Sequence, residues 1–141
     1  MTRVTLILGI IGAVMLALAT PVRAAAPTEA RMKGALLAYF EAMNDHDAAK
    51  VTAMFAADAM IEDPFGTPLR PAAVFVDGVT KAMISFNVLL VTASEHASAA
   101  AALYINTPKG NLNAIEVFTF NTEGKITSMK AYWGPGDREG Q

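Results

Sequence analysis

Cysteine is absent from the 141-residue chain, so neither a disulfide nor a cysteine nucleophile contributes to fold or chemistry. Packing alone must hold the fold. Histidine is nearly absent too, at His46 and His96, and neither lies in a His-Glu-x-x-His zinc pattern. There is no glycine-rich phosphate loop either. The consecutive Asp45, His46 and Asp47 do not share a helix face, which makes them a solvated turn rather than a metal site. Nothing in the sequence calls for a cofactor or a metal. Charged residues make up only 17% of the chain and acids outnumber bases 13 to 11. That balance leaves nucleic acid and anionic membrane surfaces without a basic patch to bind. Internal repeats and low-complexity linkers are also lacking.

What the chain has in excess is apolar residues, at 53%. Part of this excess is local. Val4 to Ala19 is an uncharged apolar run preceded by the basic start Met1-Thr2-Arg3 and followed by Thr20-Pro21-Val22-Arg23-Ala24-Ala25-Ala26. A short positive segment, an apolar segment and a small-residue end make a secretory signal peptide. The alternative is an uncleaved anchor, but the run falls short of the roughly 20 residues that span a bilayer. Residues 1–26 are therefore expected to be removed, leaving 27–141 as one periplasmic or secreted domain without stable membrane anchoring. Cleavage after Ala24 or Ala26 removes Arg3 and Arg23 and no acid, moving the net charge from −2 to −4. About 115 residues remain, enough for one core that buries around two-thirds of the unfolded surface.

Periodicity predicts helices first and strands after. Met32, Leu36, Tyr39, Phe40 and Met43 recur every three or four positions and mark one face of a helix over Thr28 to Met43. Asn44 to Asp47 breaks it, and Asp47 caps a second short helix carrying Val51, Met54 and Phe55 on one side. The period then becomes two. Ala59, Ile61 and Asp63 point one way and Met60 and Glu62 the other, so Asp63 lies on an otherwise apolar face. Pro64 to Pro68 reads as a rigid loop, and Pro71 opens a third helix expected to reach about Phe86. Asn87 to Ala93, Ala99 to Thr107, Leu112 to Asn121 and Lys125 to Trp133 read as strands joined by turn-forming residues. Helices followed by a meander predict an α+β fold, with the helices covering one face of a curved, mainly antiparallel sheet that encloses a pocket.

The strand from Leu112 raises the chemical question. Alternation puts Leu112, Ala114, Glu116, Phe118 and Phe120 on one face, so Glu116 interrupts an apolar and aromatic row. The faces can also be swapped, which leaves Glu116 in solvent; Phe118 and Phe120 argue for the buried arrangement. A carboxylate buried without partners is so costly that it takes up a proton instead. A protonated acid donates a hydrogen bond. Tyr39, on the inner face of the first helix, is compatible with an ordinary core tyrosine.

The segments Tyr39-Phe40-Glu41-Ala42-Met43-Asn44 and Phe55 to Gly66, with their Glu-Asp-Pro-Phe-Gly stretch, resemble bacterial Δ5-3-ketosteroid isomerases. So do Ala114 to Asn121 and Gly124 to Trp133, ending in Ala-Tyr-Trp. An aspartate followed by proline also occurs across the wider nuclear transport factor 2-like and SnoaL-like superfamily. The resemblance covers nearly all of the chain after the signal segment. It implies a conical α+β fold around a pocket for an apolar, steroid-like substrate, usually in a homodimer. It also implies Asp63 as general base, Tyr39 as the phenol that donates to the dienolate oxygen, and Glu116 where the isomerases carry a protonated aspartate as second donor. The tyrosines that support the phenol in that family fall at Phe55 and Val76. Met129 and Trp133, which share a strand face with Ala131, become candidates for the pocket wall, as do Phe65, Phe75 and Phe118.

Such chemistry needs these residue types. Taking a proton from carbon leaves negative charge on the carbonyl oxygen, and two fixed donors in a dry pocket stabilise it better than water does. One ionised carboxylate then carries the proton between carbons. Three functions fit: a steroid or enone isomerase, a related cyclase or hydrolase acting through Asp63, and a non-catalytic carrier of an apolar ligand.

Overall fold

A computed structural model describes residues 25–63 and 69–139. The apolar run assigned to a signal peptide and the loop 64–68, with Phe65, lie outside the described residues. Helix α1 spans Glu29–Asn44, starting where the Thr28 hydroxyl accepts the Arg31 N–H at 3.3 Å. Its buried side chains include the five the period picks out, Met32, Leu36, Tyr39, Phe40 and Met43. His46 at φ 56° turns the chain, and the Asp47 carboxylate accepts the Lys50 N–H at 2.9 Å to start α2, Ala48–Thr52.

The strands are β1 (Phe55–Glu62), β2 (Leu69–Pro71), β3 (Ser85–Ser94), β4 (Ser98–Thr107), β5 (Gly110–Phe120) and β6 (Ile126–Tyr132), with α3 (Ala72–Lys81) between β2 and β3. They form one sheet in the order β2-β1-β6-β5-β4-β3. All neighbours are antiparallel except β1 and β6, which run parallel. Irregularities in the β1–β6, β3–β4 and β5–β6 ladders add local twist, and the helices pack on the face this curl leaves concave. This is the expected α+β cone. Gly124 at φ 81° makes the β5–β6 turn, and an added Cβ there would lie 2.8 Å from the Arg31 guanidinium.

Three boundaries differ from the sequence expectation. Phe55 belongs to β1 rather than to α2, because the chain leaves the helix at Ala53 and Phe55 pairs with Ile126. The third helix stops at Lys81, not near Phe86: Met83 takes φ 54°, and the apolar run beyond it is drawn into the β3–β4 ladder. The short strand β2, with Pro71 as its last residue, carries no alternation long enough to read. It is set by pairing to Met60, Ile61 and Glu62. The Asn44 side chain also brackets the start of β3, accepting from Phe86 N at 2.7 Å and donating to Phe86 O at 2.9 Å. That pair of bonds locks the end of α1 to the sheet edge.

Candidate active site

Asp63 follows the last residue of β1 and Glu116 lies in the middle of β5, and both are buried, at 8% and 3% exposure. Alternation therefore places both carboxyls as expected. The register shows how they meet. Glu116 lies opposite Ala101 on β4 and Ala131 on β6, while Glu62 is level with Lys130, so Asp63 comes level with Ala131 on the other side of β6. Two strand spacings separate the backbones by roughly 10 Å, and the alanines between leave room above the sheet. Asp63, Glu116, Ala114 and Ala131 line a cavity of about 620 Å³, closed by Phe75 and Val79 of α3, Phe86 of β3 and Trp133. A space of this size suits a small apolar molecule with a few polar anchors.

Glu116 Oε2 has no hydrogen-bond partner among the described residues. Burial, reinforced by the negative charge of Asp63, pushes its carboxyl up from the ordinary 4.5 to about 8. At pH 7 this carboxyl is then mostly protonated. Tyr39 is fully buried, with its ring edge-on to Phe40, Phe118 and Phe55 at centroid distances of 4.9, 5.3 and 5.9 Å. Its hydroxyl, too, is unpartnered among the described residues. Burial, then the charges of Glu116 and Asp63, hold the phenol well above its usual range, so it stays an O–H donor. Phe55 and the buried Val76 supply no hydroxyl to engage it. Two unused donors thus lie buried around one carboxylate. Tyr39 is not among the residues that line the cavity, although it lies close enough to feel the charges of Glu116 and Asp63; leaving such donors unmet costs about 1–3 kcal/mol each.

The other sequence candidates divide. Phe75 and Trp133 line the cavity. Phe118 and Met129 are not in that lining: they are cross-strand partners, each at most 1% exposed, and Phe118 packs against the rings of Tyr39 and Phe40 on α1. Phe118 supports the ring of Tyr39. Sequence reasoning missed Val79, Ile84 and Ile105 in the lining, and the basic residues Arg70, Lys109 and Arg138. Ile105 was available from the alternation of β4, whereas the basic residues carried no local signal. Among the described residues no three histidine, aspartate or glutamate side chains gather where they could hold a metal ion.

Residues 36–129, more than half the chain, match the profile of the SnoaL-like domain. The chain belongs to the SnoaL-like family. It is 35% identical over 116 residues to a steroid Δ-isomerase of Nocardioides simplex, with 77% of this chain and 94% of that protein aligned. Among solved structures it is similar to SalBIII, an epoxide hydrolase/cyclase-like enzyme with a role in pyran ring formation in the polyether salinomycin. There the TM-score is 0.71 and the identity 30%, over 77% of this chain and 95% of that one. This SnoaL-like chain therefore has enzymes of both isomerase and cyclase type as relatives.

Proposed function

We propose that the protein is a steroid Δ-isomerase-like enzyme, moving a double bond from the β,γ to the α,β position of a 3-ketosteroid or similar enone. One observation carries the reading: a carboxyl held neutral at pH 7 lies with a second carboxyl at an apolar cavity, and an unpartnered buried phenol, itself outside the cavity lining, feels the charge of both. Asp63 takes a proton from the carbon between the ketone and the isolated double bond. The electron pair of that C–H bond moves into the ring and the carbonyl π pair onto oxygen, giving a dienolate. Tyr39 and Glu116 donate hydrogen bonds to this oxygen. Asp63 then returns the proton two carbons along, the carbonyl re-forms, and no atom is gained or lost. The oxyanion forms where water is excluded, so fixed donors act there at full strength. Purified protein should convert androst-5-ene-3,17-dione to its conjugated isomer faster than buffer, with a phenolic steroid competing. No conversion and no phenol binding would refute this reading.

The likeness to SalBIII favours a second reading, in which Glu116 protonates an epoxide or ether oxygen while Asp63 activates a hydroxyl or water. Turnover of an epoxide without enone isomerisation would select it. Residues 1–26 are proposed to direct export, which N-terminal sequencing of the protein recovered from the periplasm or medium would check. A homodimer is proposed through the outer sheet face, where Leu90, Ala102, Ile115 and Tyr132 form a cross-strand row; Leu90 is 64% exposed and Ile115 and Tyr132 51% each.

A further inference from the structure

Helix α3 turns one face to the cavity. Phe75, Gly78, Val79 and Ala82 follow the spacing of a single helix face, and all four line the cavity. The helix packs on α2, β1 and β2, at one side of the sheet. Phe75 is 4% exposed and fills the deep part of this face, whereas Gly78 and Ala82 are open to solvent. Asp63 and Glu116 lie buried in the same cavity. A molecule whose carbonyl reaches Glu116 therefore leaves its remote end beside Gly78 and Ala82.

Glycine at position 78 is not a requirement of the fold. It stands inside a ten-residue helix, where glycine in place of alanine shifts the folding equilibrium about fivefold towards the unfolded chain. Left-handed backbone, which explains glycine at Gly110 and Gly124, is not found here. Nor is there crowding: a Cβ added at Gly78 would meet nothing within 4 Å. What the missing side chain leaves is room at the cavity wall. Ala82, one turn further on, extends that room, and across the cavity the sheet presents only methyl groups at Ala114 and Ala131. Glu116 points to a ligand independently, because it is only 3% exposed, lines the same cavity and has Oε2 without a partner among the described residues. The space beside α3 continues from that acceptor-seeking group.

We infer that Gly78 is a specificity-determining residue, its missing side chain admitting the fused-ring body of the substrate remote from the reacting ring. This rests on the reading of Asp63 and Glu116 as the carbonyl-directed end. It adds the shape of the remainder: a rigid body of several rings passes against α3. A molecule of one or two rings does not reach that far. A side chain at position 78 therefore takes room from the larger molecule alone.

Two phenols separate the ends of the cavity: equilenin, a four-ring phenolic steroid, and 2-naphthol, which reproduces its first two rings. Both are titrated by calorimetry at pH 7 onto the full protein as wild type, Gly78→Ala, Gly78→Leu and Gly34→Ala. Gly34, inside α1, has equally open surroundings but lies outside the cavity lining, so Gly34→Ala should raise the urea midpoint and leave both affinities unchanged. Gly78→Ala should also raise the urea midpoint, yet weaken equilenin severalfold. In Gly78→Leu equilenin should weaken about ten- to hundredfold while 2-naphthol stays within about twofold of the wild type. Equilenin bound equally well by Gly78→Leu and wild type, or both phenols weakened alike, would overturn the inference. So would a wild type that binds 2-naphthol and not equilenin. Each of these leaves the isomerase reading standing, because the wild type still binds a phenol. Binding of neither phenol to the wild type would remove the reading of the carbonyl-directed end and this inference with it.

Discussion

Replacing Glu116 by glutamine separates the cost of burying an ionisable group from everything else that group does. Glutamine has the same length, stays neutral at every pH and still presents an N–H donor. In the wild type the carboxyl rises from its ordinary 4.5 to about 8 through burial and the Asp63 charge. The folded protein therefore holds a proton that the unfolded chain releases between those values. The favourable contribution is complete below about pH 4.5 and is lost as pH climbs through 8. Each pKa unit is worth about 1.4 kcal/mol, so the full loss is on the order of 5 kcal/mol for this fully buried group. A domain of this size has only about 5–15 kcal/mol to lose. Urea unfolding followed by the single tryptophan, Trp133, from pH 5 to pH 9 measures the difference. The stability of the wild type should fall relative to Glu116→Gln by most of that amount, and the variant should be the more stable protein at pH 8.5. Parallel stability curves for the two proteins would show that Glu116 ionises without penalty, and the reasoning would fail.

Tyr39→Phe removes a buried hydroxyl that has no partner among the described residues. It should leave stability unchanged or raise it by about 1 kcal/mol while slowing turnover about 100- to 1000-fold, an outcome that an ordinary core tyrosine would not give. Turnover by the wild type should decline above about pH 8 as Glu116 gives up its proton, and in Glu116→Gln that alkaline limb should be missing from the pH–rate profile. Gly124→Ala forces φ 81° on a residue with a Cβ and crowds Arg31; chemical denaturation should register a loss of about 1–2 kcal/mol. If the proposed dimer forms through the outer face, light scattering should find the wild type dimeric and Ile115→Lys, in the middle of the exposed apolar row, monomeric.

Most of the inner wall could be read from the sequence because alternation is a local property. Leu112, Ala114, Glu116, Phe118 and Phe120 are all buried in the structure, as the two-residue period requires. Asp63 follows from the same rule on β1. Where the outcome depends on contacts distant in sequence, local pattern gave less. The parallel pairing of β1 with β6 brings Asp63 and Glu116 to either side of Ala131, and nothing near either residue announces it. The apolar run after Lys81 fits helix and strand equally until β4 pairs with it. Phe118 shares the face of Glu116, but only the path of α1 decides that the rings of Tyr39 and Phe40 pack against it.

Proton transfer by Asp63 is tested most directly by measuring the appearance of conjugated enone from androst-5-ene-3,17-dione at pH 7, with wild type, Asp63→Asn and buffer side by side. A positioned base contributes about 100- to 10,000-fold, so the wild type should run well above buffer and Asp63→Asn should lose at least 100-fold. Equal rates for wild type and Asp63→Asn would contradict the assignment of Asp63 as the base.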